Sequence, residues 1–289
     1  MATTISAAEV KKLRDQTGAG MMDCKAALEE AQGNVEEAIT ILRKKGLASA
    51  AKKAGRATGE GVIGQRLASD RRSGTLVEVN CESDFVARTD DFQQLVQDVL
   101  SEIDKAGNGA GEAWLKDPGG PVQQRVAAAI AKLGENMAVP RFVRYAGMGL
   151  VGQYIHMGGK IGVQVEVAEV PAAVAASEEF ANLVKDIAMQ IAAASPAYAS
   201  RAVVPADVLD KERSIYRAQM EGSGKPPQVI DKIVEGKLES FYSQVVLPDQ
   251  PSIRDPKVTV GQVIGAASKS LGAPITVTRF ARLKVGETA

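Results

Sequence analysis

Side chains with well-known reactive chemistry are scarce in this chain of 289 residues, which has two cysteines and one histidine. A cysteine hydrolase would need a thiolate, here Cys81, beside a base, here His156. Cys81 follows a predicted strand at 74–80, and the nearest candidate for a stabilising cation is the distant Arg88. A buried structural cysteine is the favoured interpretation, and the hydrolase stays an alternative hypothesis. Schemes that need two histidines are excluded.

Two glycine patterns resemble a dinucleotide-binding loop. Gly59-x-Gly61-x-x-Gly64 and Gly147-x-Gly149-x-x-Gly152 both fit G-x-G-x-x-G. That loop must follow a strand and open a helix, whose N-terminus holds the pyrophosphate. Here both patterns lead into alternating apolar residues, which predict a strand, so turn glycines are the better interpretation.

An internal repeat organises most of the chain. GVIGQ at 61–65 returns as GLVGQ at 149–153, and VEV at 77–79 returns at 165–167, both at a shift of 88 residues. Later matches, such as Arg141-Phe142 with Arg279-Phe280, are shifted by 138, so the second copy contains an insertion. Each copy predicts two strands, two helices and a third strand, which gives an α+β fold with two related subdomains, at 56–146 and 147–289.

The two copies differ in one predicted loop. Ser83-Asp84-Phe85-Val86 lies opposite Pro171-Ala172-Ala173-Val174 at the shift of 88, although the surrounding residues match. The second copy folds without an Asp-Phe pair, so the fold does not require one. A lone exposed Phe is common in proteins, but an aromatic side chain that fills a partner's pocket is a usual source of binding energy. The segment is therefore a candidate contact with another protein.

Helical elements flank or interrupt the repeat. Residues 1–55 predict a module of three short helices, with Ser6 and Glu9 forming a capping box and Asp23 capping the second helix. The insertion, at about 200–243, predicts an antiparallel helical hairpin that turns at Gly222-Ser223-Gly224. An isolated hairpin exposes an apolar seam, so it is either a structural decoration or a contact for a partner or for dimerisation.

Composition narrows the class of protein. Thirty-five basic and 35 acidic side chains give a formal net charge of zero, which argues against a dedicated DNA-binding protein. Residues 43–56 nevertheless contain no acid, so this stretch is either a solvated linker helix or a patch for RNA or an acidic partner. The sequence has no 18-residue apolar run and no apolar signal segment, so it predicts neither a membrane span nor export. Two cysteines suit a reducing, cytoplasmic compartment.

Three segments resemble signatures of the bacterial elongation factor Ts family. They are TGAGMMDCKAAL at 17–28, NCESDFVA at 80–87 and HMGGKIGV at 156–163. The resemblance covers essentially the whole chain. It implies a ubiquitin-associated-like helical module, a core of two related subdomains and a coiled-coil hairpin. It also implies a guanine-nucleotide exchange factor that binds the GDP-bound and nucleotide-free forms of elongation factor Tu, with no cofactor, no metal and no covalent chemistry of its own.

The resemblance also implies roles for particular residues. Ser83, Asp84, Phe85 and Val86 match the segment that wedges into the partner's GTPase domain, displaces its Mg²⁺ and releases GDP. The empty partner is then held until GTP binds. Further contacts with the same partner are implied on the helical module and the second subdomain, at Arg14, Met21, Met22, Lys25 and His156. This chain has Ser83 where the family usually has Thr, and Gly158-Gly159 where the family can have a basic residue.

Overall fold

The N-terminal unit consists of three helices packed around their own small core. The structure, a computed structural model, describes residues 5–287; residues 1–4 and 288–289, the ends of the predicted ranges 1–55 and 147–289, lie outside the described residues. The helices are α1 (Ala7–Thr17), α2 (Met21–Glu30) and α3 (Val35–Lys53). The core side chains are Val10, Leu13, Cys24, Ala27, Leu28, Ala31, Ala38 and Ile41.

Two details of this unit differ from the sequence-based expectation. The second helix begins at Met21 behind Gly20, so Asp23 lies inside its first turn and does not cap it. The basic residues from 43 to 53 are helical and largely exposed, as the linker-helix interpretation expects, but they continue α3 directly. Gly46 is buried in this stretch against α7, so one face of the basic segment is packed.

The first copy of the repeat is a three-stranded antiparallel sheet covered on one face by helices. The strand order is β1-β2-β3. The elements are β1 (Glu60–Leu67), β2 (Ser73–Cys81), α4 (Asp84–Ala87), α5 (Asp90–Ala106), α6 (Glu112–Lys116), α7 (Pro121–Leu133) and β3 (Met137–Ala146). Helix α5 places Phe92, Val96 and Leu100 on the sheet at helical spacing. The segment at 84–87 is a single helical turn, so the expectation of a loop there was wrong.

The second copy repeats this arrangement with the insertion added. Its strand order is β4-β5-β6. The elements are β4 (Leu150–His156), β5 (Ile161–Val167), α8 (Ala172–Ala175), α9 (Glu178–Ala194), α10 (Ala206–Ala218), α11 (Pro227–Val245), α12 (Val260–Leu271) and β6 (Val277–Lys284). Helices α10 and α11 form the inserted antiparallel hairpin. The mixed content of helices and antiparallel sheets confirms the α+β class.

The two sheets contact each other through the faces that the helices leave uncovered. Ile63 and Leu76 from the first sheet pack there with Ile155 and Leu283 from the second. Each sheet also carries a matching ion pair: Glu78 with Arg141 at 2.7 Å, and Glu166 with Arg279 at 2.6 Å. These equivalent pairs join the second and third strand of each copy, so the sequence repeat is also a repeat of tertiary contacts.

Within residues 5–287, no helix is long and apolar enough to cross a membrane.

Candidate functional site

One end of the first sheet carries the helical turn α4. There the start of β1, the end of β2 and the start of β3 lie side by side, with Glu60 opposite Cys81 and Cys81 opposite Met137. The chain leaves β2 at Cys81 and enters α4 after two residues. One face of the turn α4 therefore packs on the apolar core of the first copy, and its other face points to solvent.

Phe85 is the prominent feature of this turn. Its side chain is 78% exposed, whereas Ala87 and Phe92 just after it are buried. Asp84 beside it is paired with Arg88 at 2.7 Å, one helical turn further on. An aromatic ring next to a paired carboxylate on a rigid turn can enter a cavity in another protein, because the ring loses little conformational freedom on binding.

Ser83 and Val86 hold the turn in place. The Ser83 hydroxyl accepts a hydrogen bond from the Val86 N–H at 3.3 Å, which makes Ser83 the cap of α4. Val86 is partly buried and packs on the apolar core of the first copy. Of the four residues predicted from the sequence at 83–86, Ser83 and Val86 thus contact the rest of the protein, while Asp84 and Phe85 point to solvent.

The residues predicted on the helical module flank the turn between α1 and α2. Arg14 lies in the last turn of α1, and Met21, Met22 and Lys25 lie at the start of α2. All four are exposed, with Met22 at 74%, and Lys25 pairs loosely with Glu29 at 3.8 Å. Two neighbouring exposed methionines form an adaptable apolar contact surface.

A short chain of contacts links this turn to α4. Gly18 in the α1–α2 turn lies close to the Lys132 side chain of α7. Lys132 in turn pairs with Asp91 at 2.6 Å. Asp91 is in the first turn of α5, which directly follows α4. These contacts connect the α1–α2 turn to the start of the helix that directly follows the Phe85 turn.

His156 lies in the second copy but next to the first. It ends β4, is exposed, and its Nδ1 lies 3.0 Å from the Tyr154 hydroxyl. The tight turn 157–159 that follows packs with Gly159 on Val62 of β1, whose side chain belongs to the same core as Val86 and Ala87.

Met157, beside His156, was not among the sequence-predicted site residues. Its side chain is 68% exposed. Its backbone φ of 51° is unusual for a residue other than glycine. The sequence offered one signal for it, since it lies inside the third signature segment.

The electrostatics at this end of the sheet do not favour nucleophilic chemistry. Cys81 is completely buried, and burial together with the nearby Glu135 carboxylate raises the pKa of its thiol to about 11. A thiol with this pKa stays protonated at neutral pH and is a poor nucleophile. Within residues 5–287, no cluster of His, Cys, Asp or Glu side chains is arranged to hold a metal ion.

The basic stretch at 43–56 is partly neutralised by acids from elsewhere in the fold. Lys45 pairs with Glu30 at 2.9 Å, and Arg56 pairs with Glu82 at 3.4 Å. These pairs reduce the cationic field that an RNA backbone would meet. The pairs involve two of the six basic residues, so a patch for RNA or an acidic partner stays a prediction of the sequence.

Comparisons with known proteins agree with the three signature segments. The family model described as elongation factor TS matches residues 82–287. A relative named elongation factor Ts from Trichlorobacter lovleyi is 46% identical over 98% of this chain and 93% of its own length. Those of Nitratiruptor and Aquifex aeolicus are 45% and 43% identical, over 98% and 99% of this chain and 93% and 99% of their own lengths. The chain therefore belongs to the elongation factor Ts family.

Proposed function

We propose that this chain is a guanine-nucleotide exchange factor for elongation factor Tu in the cytoplasm. The observation that carries the proposal is Phe85, an aromatic side chain 78% exposed on a helical turn whose counterpart in the second copy has Ala173. The fold does not need the ring, and its exposure leaves it free for a partner. Both cysteines are free, which suits a reducing compartment.

The proposed mechanism is the one that the resemblance to the family implies for this wedge. Phe85 and Asp84 enter the GTPase domain of the partner and dislodge the Mg²⁺ that bridges the nucleotide phosphates and the protein. Losing the ion weakens GDP, because Mg²⁺ neutralises phosphate charge. No bond is made or broken, so no nucleophile is required. By linkage, GDP weakens the binding of this factor by the same ratio, and GTP later expels it from the empty partner.

The other exposed residues add affinity around the wedge. Arg14, Met21, Met22 and Lys25 grip the GTPase domain from the helical module, which we take to be ubiquitin-associated-like. His156 adds a contact from the second copy. The hairpin of α10 and α11 serves as a coiled-coil arm toward the partner.

Stopped-flow release of fluorescent GDP from elongation factor Tu tests the proposal. Phe85→Ala should slow the release at saturating factor by about tenfold or more, the usual effect of removing an aromatic anchor. Met148→Ala is the matched control, because Met148 is similarly exposed at 74% but lies between β3 and β4. Equal release rates for Phe85→Ala and wild type would reject the proposal.

A further inference from the structure

A reciprocal clasp holds the base of the Phe85 turn. The Glu135 carboxylate accepts two hydrogen bonds from Ser83, from its backbone N–H at 3.0 Å and its hydroxyl at 2.6 Å. In the opposite direction, the Glu82 carboxylate accepts a hydrogen bond from the Asn136 N–H at 2.6 Å. The segment before α4 and the segment before β3 thus each bind the other's backbone through a carboxylate. Charge-assisted bonds of this kind are stronger than neutral ones.

The second copy of the repeat has none of these four groups. At the shift of 88, Val170 and Pro171 replace Glu82 and Ser83. At the shift of 138, Ala273 and Pro274 replace Glu135 and Asn136. Alanine and valine offer no acceptor, and proline has no N–H to donate.

The helical turn nevertheless forms in the second copy. Residues 172–175 form the helical turn α8. Val174 is buried in the core of the second copy, and its counterpart Val86 is partly buried against the core of the first copy. Ser177 caps the following helix, as Thr89 does in the first copy. The turn and its packing are therefore independent of the clasp.

The clasp is present in the copy that carries Phe85 and absent from the copy that does not. We propose that Glu135 is a positioning residue: it fixes Ser83, and thereby the direction in which Phe85 leaves the surface, before the partner is met. This inference rests on the proposed exchange function. If Phe85 is already held in its binding direction, its side chain loses less conformational entropy when it enters the partner. The effect should therefore be seen in the maximal rate of GDP release, which depends on the insertion step.

The test measures GDP release from elongation factor Tu at increasing factor concentration. Glu135→Ala should lower the maximal release rate about tenfold, the effect of losing a charge-assisted hydrogen bond, with a smaller change in the half-saturating concentration. Glu135→Gln keeps an acceptor for the Ser83 N–H and should recover much of the rate. Glu112→Ala, which removes an exposed carboxylate paired with Lys116, is the control and should leave the rate unchanged.

A double-mutant cycle separates positioning from general destabilisation. If Glu135 acts through Phe85, Glu135→Ala should have little further effect in a Phe85→Ala background. Additive losses in the double variant would overturn the inference, as would an unchanged maximal rate in Glu135→Ala alone. An unaffected Phe85→Ala would instead reject the proposed function itself. Should Glu135→Ala unfold, the milder Glu135→Gln, which leaves the Ser83 hydroxyl in place as the cap of α4, enters the same cycle. A loss that disappears in the Phe85→Ala background supports the inference, and an additive loss overturns it.

Discussion

At the scale of single residues, the two cysteines have a structural role. Cys24 and Cys81 are both completely buried, which confirms the sequence-based interpretation of Cys81. The Cys81 thiol also lies 3.1 Å from the Ser83 carbonyl oxygen, to which it donates. The thiol therefore packs beneath the Phe85 turn, where it supports the turn without being accessible from solvent.

Burial predicts slow reaction of these thiols with a disulfide reagent. In the native chain at pH 8, Ellman's reagent should release almost no thionitrobenzoate, and in denaturant both thiols should react. A Cys24→Ser variant isolates Cys81 for the measurement. A rapid reaction of Cys81 in the native variant would contradict the burial and revive the nucleophile hypothesis.

The raised pKa of Cys81 also gives a direction for stability with pH. The pKa is about 11 in the folded chain, against an ordinary value of 9.0. The unfolded chain therefore loses its thiol proton first as pH rises, and the free energy of unfolding should fall between about pH 9 and 11. Urea titrations of the wild type and of a Cys81→Ala variant across this range would show the difference. A pH slope equal in both would contradict the prediction.

Sequence reasoning located Phe85 but not the residue that fixes its direction. Phe85 was found because two copies of a repeat could be compared at one shift. Glu135 lies 52 residues from Ser83 and belongs to no periodic pattern, so only the folded chain brings the two together. The same holds for Lys132 beside Gly18, which joins the helical module to the first copy.

At the scale of elements, the repeat was predictable because both copies obey the same packing rule. In each copy a glycine on the first strand allows a helix to approach closely. A Cβ on Gly64 would overlap Val96, and a Cβ on Gly152 would overlap Val184, at the same shift of 88 residues. Of the glycines in the two nucleotide-like patterns, Gly64 and Gly152 therefore lie in strands and serve helix packing, whereas Gly147 and Gly149 lie in the turn between β3 and β4, as the turn-glycine interpretation expects.

This packing predicts that alanine destabilises the chain at Gly64 and Gly152 but not at Gly236. Gly64→Ala and Gly152→Ala should each lower the free energy of unfolding by about 1–3 kcal/mol, because the added methyl group overpacks a filled core. Gly236→Ala is the control: Gly236 lies inside α11 with open space around its Cβ position, so alanine should stabilise the helix by up to about 1 kcal/mol. Urea denaturation of the three variants measures this. Loss of stability in Gly236→Ala, or none in the other two, would contradict it.

Short elements were less predictable than long ones. The two helices predicted for the first copy are long, and they correspond to α5 and α7. The four residues of α4 and the five of α6 are too short for a periodic pattern, and α4 was expected as a loop. The bulge between Glu78 and Asn80 was also unforeseen, because it depends on the register with β3.

At the scale of the whole molecule, buried polar contacts join the two sheets to each other. Arg141 of β3 pairs with Glu78 and also donates to the Lys284 carbonyl oxygen of β6 at 3.1 Å, so it joins both copies. The Gly286 N–H donates to the same Glu78 carboxylate at 2.8 Å. This shared, almost fully buried carboxylate helps to fix the copy that carries Phe85 relative to the copy that carries His156.

The hairpin of α10 and α11 is anchored at its base by ion pairs, and part of its apolar seam is buried. Arg201 pairs with Asp249 and Glu239, at 2.6 and 2.7 Å, and its guanidinium lies 4.4 Å from the centre of the Tyr242 ring. Val234 and Leu238 of α11 are each 1% exposed. These two side chains of the expected apolar seam are therefore not exposed, whereas α10 has no buried residue.

Among the described residues, the hairpin of α10 and α11 leaves two large apolar side chains exposed. Ile215 and Val229 are each about two-fifths exposed. Two partly exposed side chains offer far less apolar surface than the roughly 800 Å² that each partner buries in a stable interface. We therefore expect light scattering after size-exclusion chromatography to give the mass of one chain across a dilution series. Ile215→Ser with Val229→Ser should leave that mass unchanged. A mass of two chains that falls to one in the double variant would show instead that the hairpin pairs two copies, and that these two side chains hold them together.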